Sequence, residues 1–193
     1  MPTAEYRQRP SFADKGDVLW RASADKLEQI APDGTVLTTV PYKAVRRVRL
    51  AFAPGRYQTN RFLMELSGIK SRIVLSNLHF AGIGRFEDRS ESFFALVREV
   101  VDGVRRSNPD AEFTAGEQPV LYAMLLAFNL AAFAMLALAV TVLPIVPGNI
   151  SASVAIKAVL ILFSLPLLFS WIVKARPRRF DPVYGLEDVI AAR

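Results

Sequence analysis

VRRVRLAFAPGRYQTNRFLMEL, residues 45–66, carries its apolar side chains at every second position. Val48, Leu50 and Phe52 fall on one side and Arg47 and Arg49 on the other. After the turn-forming PGRYQTN, Phe62, Met64 and Leu66 alternate with Arg61 and Glu65. A period of two places successive side chains on opposite faces, the mark of a half-buried antiparallel strand. Working outward, DVLWRAS, KLEQIAP and TVLTTV precede this pair, with Asp33-Gly34 as a hairpin turn between the last two. SRIVLS and a short HFAGIG follow it. Seven short strands separated by turn residues predict a small antiparallel barrel or sandwich within residues 16–108.

The pattern then changes. DRSESFFALVREVVDGVRRS puts Phe93, Leu96, Val97, Val100 and Val104 on one face of a helix. Asp88 with Glu91 three residues on reads as a capping box, and Arg105 and Arg106 suit the negative pole of the helix dipole. The helix is expected to cap the sheet, with a core of Trp20, Val48, Leu50, Phe52, Phe62, Met64, Phe93, Val97 and Val100. The class is therefore α+β. Residues 1–15 read as a tail and 109–118 as a linker.

Beyond the linker the composition shifts. Of 193 residues 52% are hydrophobic, although 22% are charged, because the apolar residues are concentrated: Pro119 to Ile156 holds no charge, and after Lys157 the run resumes from Ala158 to Val173. A membrane-spanning helix needs about 20 apolar residues. The expectation is a two-helix transmembrane hairpin, 119–146 and 152–174, joined by a short loop at 147–151 that is rich in turn formers. The loop carries no Lys or Arg, whereas Lys174, Arg176, Arg178 and Arg179 follow Trp171 directly, an arrangement that anchors this end at the membrane interface. The basic residues would place both termini in the cytoplasm, with 175–193 as a basic tail. The N-terminus has no apolar core of a cleavable signal. A multi-pass protein of a bacterial cytoplasmic membrane is expected. The formal charge of +6 then reflects attraction to anionic headgroups more than to nucleic acid, for which no motif is present.

Seven strands followed by one helix is the order of a pleckstrin-homology-like fold. On LW…DGTVLTTVPYKAVRRVRL, the alternating RFLMEL and the terminal FFALVREVV, the chain resembles bacterial PH-like proteins that join such a domain to membrane spans. The resemblance covers about half the chain and implies a domain presented at the membrane surface. Inositide binding is not implied, since the turn after the first expected strand, SADK, has Lys26 as its one basic residue.

Chemistry-bearing residues are few. There is no cysteine, so disulfides and thiolate metal sites are excluded, and His79 is the one histidine. No nucleophile motif or paired carboxylate surrounds it, and AGIGRF lacks the third glycine of a dinucleotide-binding turn. No cofactor or metal is expected. Arg46, Arg47, Arg49, Arg56, Arg61, Lys70 and Arg72 form a cluster that could meet anionic lipid or an acidic partner segment. Glu65 among them favours a solvated sheet face instead. In the first span Ala123, Ala127 and Ala131 form a small-residue stripe. Asn129 falls at the depth of Ser164, as for an interhelical hydrogen bond worth about 0.6 to 2 kcal/mol.

These features point to a non-catalytic, membrane-anchored binding or scaffold protein whose partners are membrane lipids and a protein or a second copy. A subunit of a larger membrane complex is the alternative. A membrane-surface enzyme would need acidic residues such as Glu65, Glu87 and Asp88 to converge in a cleft.

Overall fold

The computed structural model describes residues 4–9, 16–54, 58, 60–69, 71–82, 84–142, 156–157, 159, 169, 172–173 and 175–191. Among these the elements are β1 Ala4–Gln8, β2 Val18–Ala22, β3 Lys26–Ile30, β4 Val36–Pro41, a 3-10 turn Tyr42–Ala44, β5 Arg47–Phe52, β6 Phe62–Ser67 and β7 Ile73–Ser76. They continue with β8 Leu78–Gly82, β9 Arg85–Asp88, α1 Ser90–Ser107, β10 Glu112–Ala115, α2 Pro119–Val142, β11 Arg178–Arg179 and a last helix, α3, Leu186–Ala191. The chain forms two compact units, Met1–Gly116 with Arg178–Arg193, and Glu117–Pro177.

In the first unit β1 to β4 make an antiparallel sheet in sequence order. A second sheet has the order β11-β10-β5-β6-β7, in which β10 runs parallel to β5, and β8 and β9 form a separate hairpin. Alternation does what the sequence asks of it. Val48 and Leu50 on β5 and Phe62, Met64 and Leu66 on β6 turn inward and are buried, while Phe52 is half-buried at the edge of the core. Helix α1 closes this core with Phe93, Phe94, Leu96, Val97, Val100, Val101 and Val104. The Phe93 ring meets Tyr6 of β1 edge-on at 5.6 Å, and Phe94 meets Phe62 of β6 at 5.4 Å.

The expected architecture is corrected. The seven expected stretches form β2 to β8, but the described residues hold eleven strands in three sheets and three α-helices, not a seven-stranded barrel with one capping helix and a two-helix hairpin. The additional pieces lie where the sequence suggested tail and linker. β1 carries one large apolar residue, Tyr6, which is fully buried and donates its hydroxyl to the Ser76 carbonyl. β10 occupies the linker and hydrogen-bonds along β5, with Phe113 buried. The C-terminal segment pairs Arg178 and Arg179 with β10 and buries Leu186 and Ile190 of α3 in the core. β10 and β11 pair with strands distant in the sequence, and β1, although it pairs with neighbouring β2, fixes Tyr6 on Ser76 far along the chain, so local periodicity carries little trace of them. The capping box also shifts. The helix begins after Arg89, and Asp88 accepts from the Ser90 amide at 2.9 Å and from the Ser90 hydroxyl.

The membrane expectation is corrected as well. Among the described residues one helix, Pro119–Leu138 of α2, is long and apolar enough to cross a bilayer, so a multi-pass protein is not supported. The second expected span, 152–174, lies largely outside the described residues.

Candidate functional site

The edge of the first sheet is built by β4. Its register opposite β3 pairs Lys26 with Pro41, Leu27 with Val40 and Glu28 with Thr39. The Tyr42 amide donates to the Asp25 carbonyl at 2.9 Å, which fixes the phase of the ladder. Hydrogen-bonded pairs recur every second residue in an antiparallel ladder. Thr38 and Val40 therefore bond toward β3, and Thr39 and Pro41 aim their main-chain groups at the open side. Pro41 has no N–H to lose there, the position in which an edge strand tolerates proline. Among the described residues no strand pairs with this edge.

The open edge faces the β6–β7 turn across a groove of about 490 Å3. Val40, Ala44, Ile69 and Ile73 give it apolar walls, and Thr38, Thr39 and Ser71 supply hydroxyls. Gly68 sets the turn. Its φ is +92°, and a β-carbon there would stand 2.6 Å from Arg46 Cγ and 2.8 Å from the Arg46 nitrogen. Only glycine allows that approach, which seats Arg46 beside the turn. The Arg46 amide donates to the Ser67 carbonyl at 2.9 Å.

Charge is distributed unevenly around this groove. Lys43 and Arg46 are exposed, and neither has an acidic partner among the described residues. Arg72, next to Ser71, is half-exposed and donates to Glu65 at 2.6 Å. Glu65 also accepts from Arg49 at 2.7 Å, so two guanidinium groups share one carboxylate. Glu28, on the outer face of β3, is taken by Lys26 at 2.9 Å. The rim is basic.

Of the seven expected basic residues, five are described; Arg47, Arg49 and Arg61 lie on the same face of the β5–β6 pair, opposite Val48, Leu50, Phe62 and Met64, but burial and acidic partners keep them from forming an open basic surface. Arg49 is buried and donates to the Gly116 carbonyl at 2.9 Å as well as to Glu65. Arg47 is bound to Glu112 at 2.7 Å, and Arg179 reaches the same carboxylate at 3.0 Å. The Arg47 hydrogen bond, with its charge, holds the Glu112 carboxyl below the usual range. Arg61 lines a smaller cavity of about 200 Å3 with Gln8, Gln58, Leu63 and Val74. Arg56 and Lys70 lie outside the described residues. Of the expected interface anchors Arg176, Arg178 and Arg179 are exposed, the last two within β11, while Trp171 and Lys174 lie outside.

The other candidates resolve into structure. His79 is buried, and its Nδ1 accepts the Arg9 amide at 3.1 Å, with Asp17 at 3.9 Å from Nε2. Glu87 binds Arg89 at 2.9 Å. Asp88 joins a polar knot around the fully buried Asn77. Asn77 accepts from the Phe62 amide at 2.7 Å and donates to the Asn60 carbonyl at 2.9 Å and to Asp88 at 3.1 Å. Burial alone would raise the Asp88 carboxyl, but hydrogen bonds from Ser90, Asn60 and Asn77 hold it below the usual range. On α2, Ala123, Ala127 and Ala131 are all exposed, and the half-covered positions are Tyr122, Leu125, Leu126, Asn129, Phe133 and Ala137. Asn129 donates to the Leu125 carbonyl of its own helix at 2.7 Å, and Ser164 lies outside the described residues. The β4 groove was not legible in advance. TVLTTV identifies a strand but not an edge, and Lys43 was not among the candidates.

The chain matches no family model, no curated protein and no solved structure.

Proposed function

We propose that the protein is a non-catalytic binding module held at a membrane by α2. The observation that carries this reading is the state of Pro119–Leu138, whose mean hydropathy is 2.1 and of which nothing is buried. Leu121, Met124, Phe128, Leu130, Met135, Leu136 and Leu138 are exposed. A core helix of a soluble protein has the same composition but is covered. An apolar cylinder about 30 Å long with no residue buried has no stable place in water and fits the hydrocarbon of a bilayer. The β-rich unit would then be the part that binds. Its order of a four-stranded sheet, then β5 to β7, then α1, supports reading it as a PH-like module enlarged by β8 to β11 and α3.

Extraction of membranes from cells expressing the full chain tests the anchor. Alkaline carbonate, which strips peripheral proteins, should leave the protein in the pellet, and nonionic detergent should release it. Release by carbonate would overturn the reading. A second reading, a subunit of a larger membrane complex, draws on the exposed Ala123, Ala127 and Ala131, since small residues let helices approach closely in lipid. A stoichiometric partner retained through detergent purification would select it.

A further inference from the structure

We propose that the groove beside β4 takes an acidic, extended segment of a partner protein as an added strand, an assignment that rests on reading the protein as a binding module. Three features converge on it. The Thr39 N–H and C=O and the Pro41 C=O point out of the ladder, and an incoming strand satisfies such groups directly. β4 is six residues long, room for about 20 Å of added strand. Pro41 ends the donor edge and sets where pairing stops.

Side chains on the added strand alternate. One set would enter the groove against Val40, Ile69 and Ile73, and small β-branched residues suit its volume of about 490 Å3. At the Pro41 end the strand would run out beside Lys43, Arg46 and Arg72. Acidic residues there meet Lys43 and Arg46, which are exposed and have no acidic partner among the described residues. The same charge, within a chain of net +6, works against pairing with a second copy. A lipid headgroup would engage the basic rim but leave the strand edge and the apolar walls unused.

Fluorescence anisotropy on the full chain in nonionic detergent tests the assignment. The probe is a fluorescein-labelled peptide with a Val-Thr-Val-Thr-Val core and two glutamates at each end. A second probe carries lysines in their place. The glutamate probe should bind saturably, and the lysine probe at least about ten-fold more weakly. Thr39→Pro removes the outward N–H without touching the bonds to β3 and should weaken the glutamate probe about ten-fold, with the melting temperature retained. Lys43→Gln with Arg46→Gln should lower both affinity and its salt dependence. Should Thr39→Pro unfold the protein, hydrogen exchange of wild type decides instead, with the glutamate probe slowing exchange in residues 36–41.

Equal binding of both probes, no protection of 36–41, or an unchanged affinity in a folded Thr39→Pro each overturns the proposal. So does protection of 36–41 by phosphatidylglycerol vesicles alone, which assigns the face to the membrane surface. Protection that rises with protein concentration and a dimer in sedimentation assigns it to a second copy. Any of these results with carbonate-resistant protein removes the acidic-segment assignment only, whereas carbonate release removes the reading beneath it.

Discussion

The ring of Tyr42 occupies the place where a β-carbon of residue 103 would stand. A methyl group built on Gly103 would come within 2.6 Å of Tyr42 Cδ2 and nearer still to Cε2. Gly103 lies in the last turns of α1, where alanine would normally gain about 1 kcal/mol from helix propensity. Tyr42, fully buried in the 3-10 turn between β4 and β5, reverses the sign. Gly103→Ala is expected to destabilise the protein by about 1 to 3 kcal/mol, because the close-packed helix has to move off the turn. Tyr42 Oη is buried with no hydrogen-bond partner among the described residues, and burial raises its pKa well above the usual phenol value. Tyr42→Phe should therefore be neutral or stabilising by about 1 kcal/mol. Thermal melts of the detergent-solubilised protein, followed by tryptophan fluorescence, separate the two signs.

Arg49 and Glu65 face each other across β5 and β6 with side chains 10% and 8% exposed. Glu65→Ala removes this carboxylate from a buried guanidinium that also donates to the Gly116 carbonyl. A loss of about 3 to 5 kcal/mol is expected. Arg72 touches the same carboxylate from a half-exposed position, so Arg72→Ala should cost about 1 kcal/mol or less. Equal effects from the two substitutions would mean that burial does not separate these ion pairs.

The C-terminal segment belongs to the β-rich unit. A chain ending at Pro177 lacks β11 and uncovers the core positions filled by Leu186 and Ile190, and a clearly lowered melting temperature is expected. Ile190→Asp should cost several kcal/mol, since it places a charge at a position 4% exposed. Arg98→Ala breaks a two-point contact with Glu187 at 2.6 and 2.9 Å, but both side chains are about half-exposed or more, and the cost should stay at about 1 kcal/mol or below. If Arg98→Ala matches Ile190→Asp, α3 is held by charge and not by burial.

The Asp88 carboxyl is held below its ordinary value, so it contributes stability above the unfolded pKa of about 3.9 and loses it as pH falls through the lower folded value. Asp88→Asn should be less stable than wild type at pH 7. The gap should narrow on acidification from about pH 5 downward as the unfolded chain takes up its proton. Melts of both proteins at matched pH values measure that gap. A constant gap from pH 7 to 3 would show that the charge of Asp88 is not what the Asn77 knot uses.

The sequence by itself determined the elements whose cause is local. Period-two alternation is written into Val48, Leu50, Phe62 and Met64, and the helical face of α1 into Phe93, Val97 and Val100, because a sheet or helix surface must bury one side of its own repeat. The turn at Asp33-Gly34 is equally local: Gly34 has φ +86°, and the Thr35 amide donates to the Asp33 side chain at 2.9 Å. The tertiary structure decided what depends on distant partners. β10, β11 and α3 exist through Phe113 on β5's neighbour strand and Ile190 in the core, and β1, paired with β2, is fixed by Tyr6 against Ser76, contacts that no local window contains. The same physics divides the arginines. Arg46 and Arg49 stand three residues apart with the same formal charge, yet one lies exposed at a groove and the other is sealed against Glu65. Periodicity says which way a side chain points. Only packing says whether it meets water, a carboxylate or a partner, because desolvation and ion pairing depend on every element that converges on the residue.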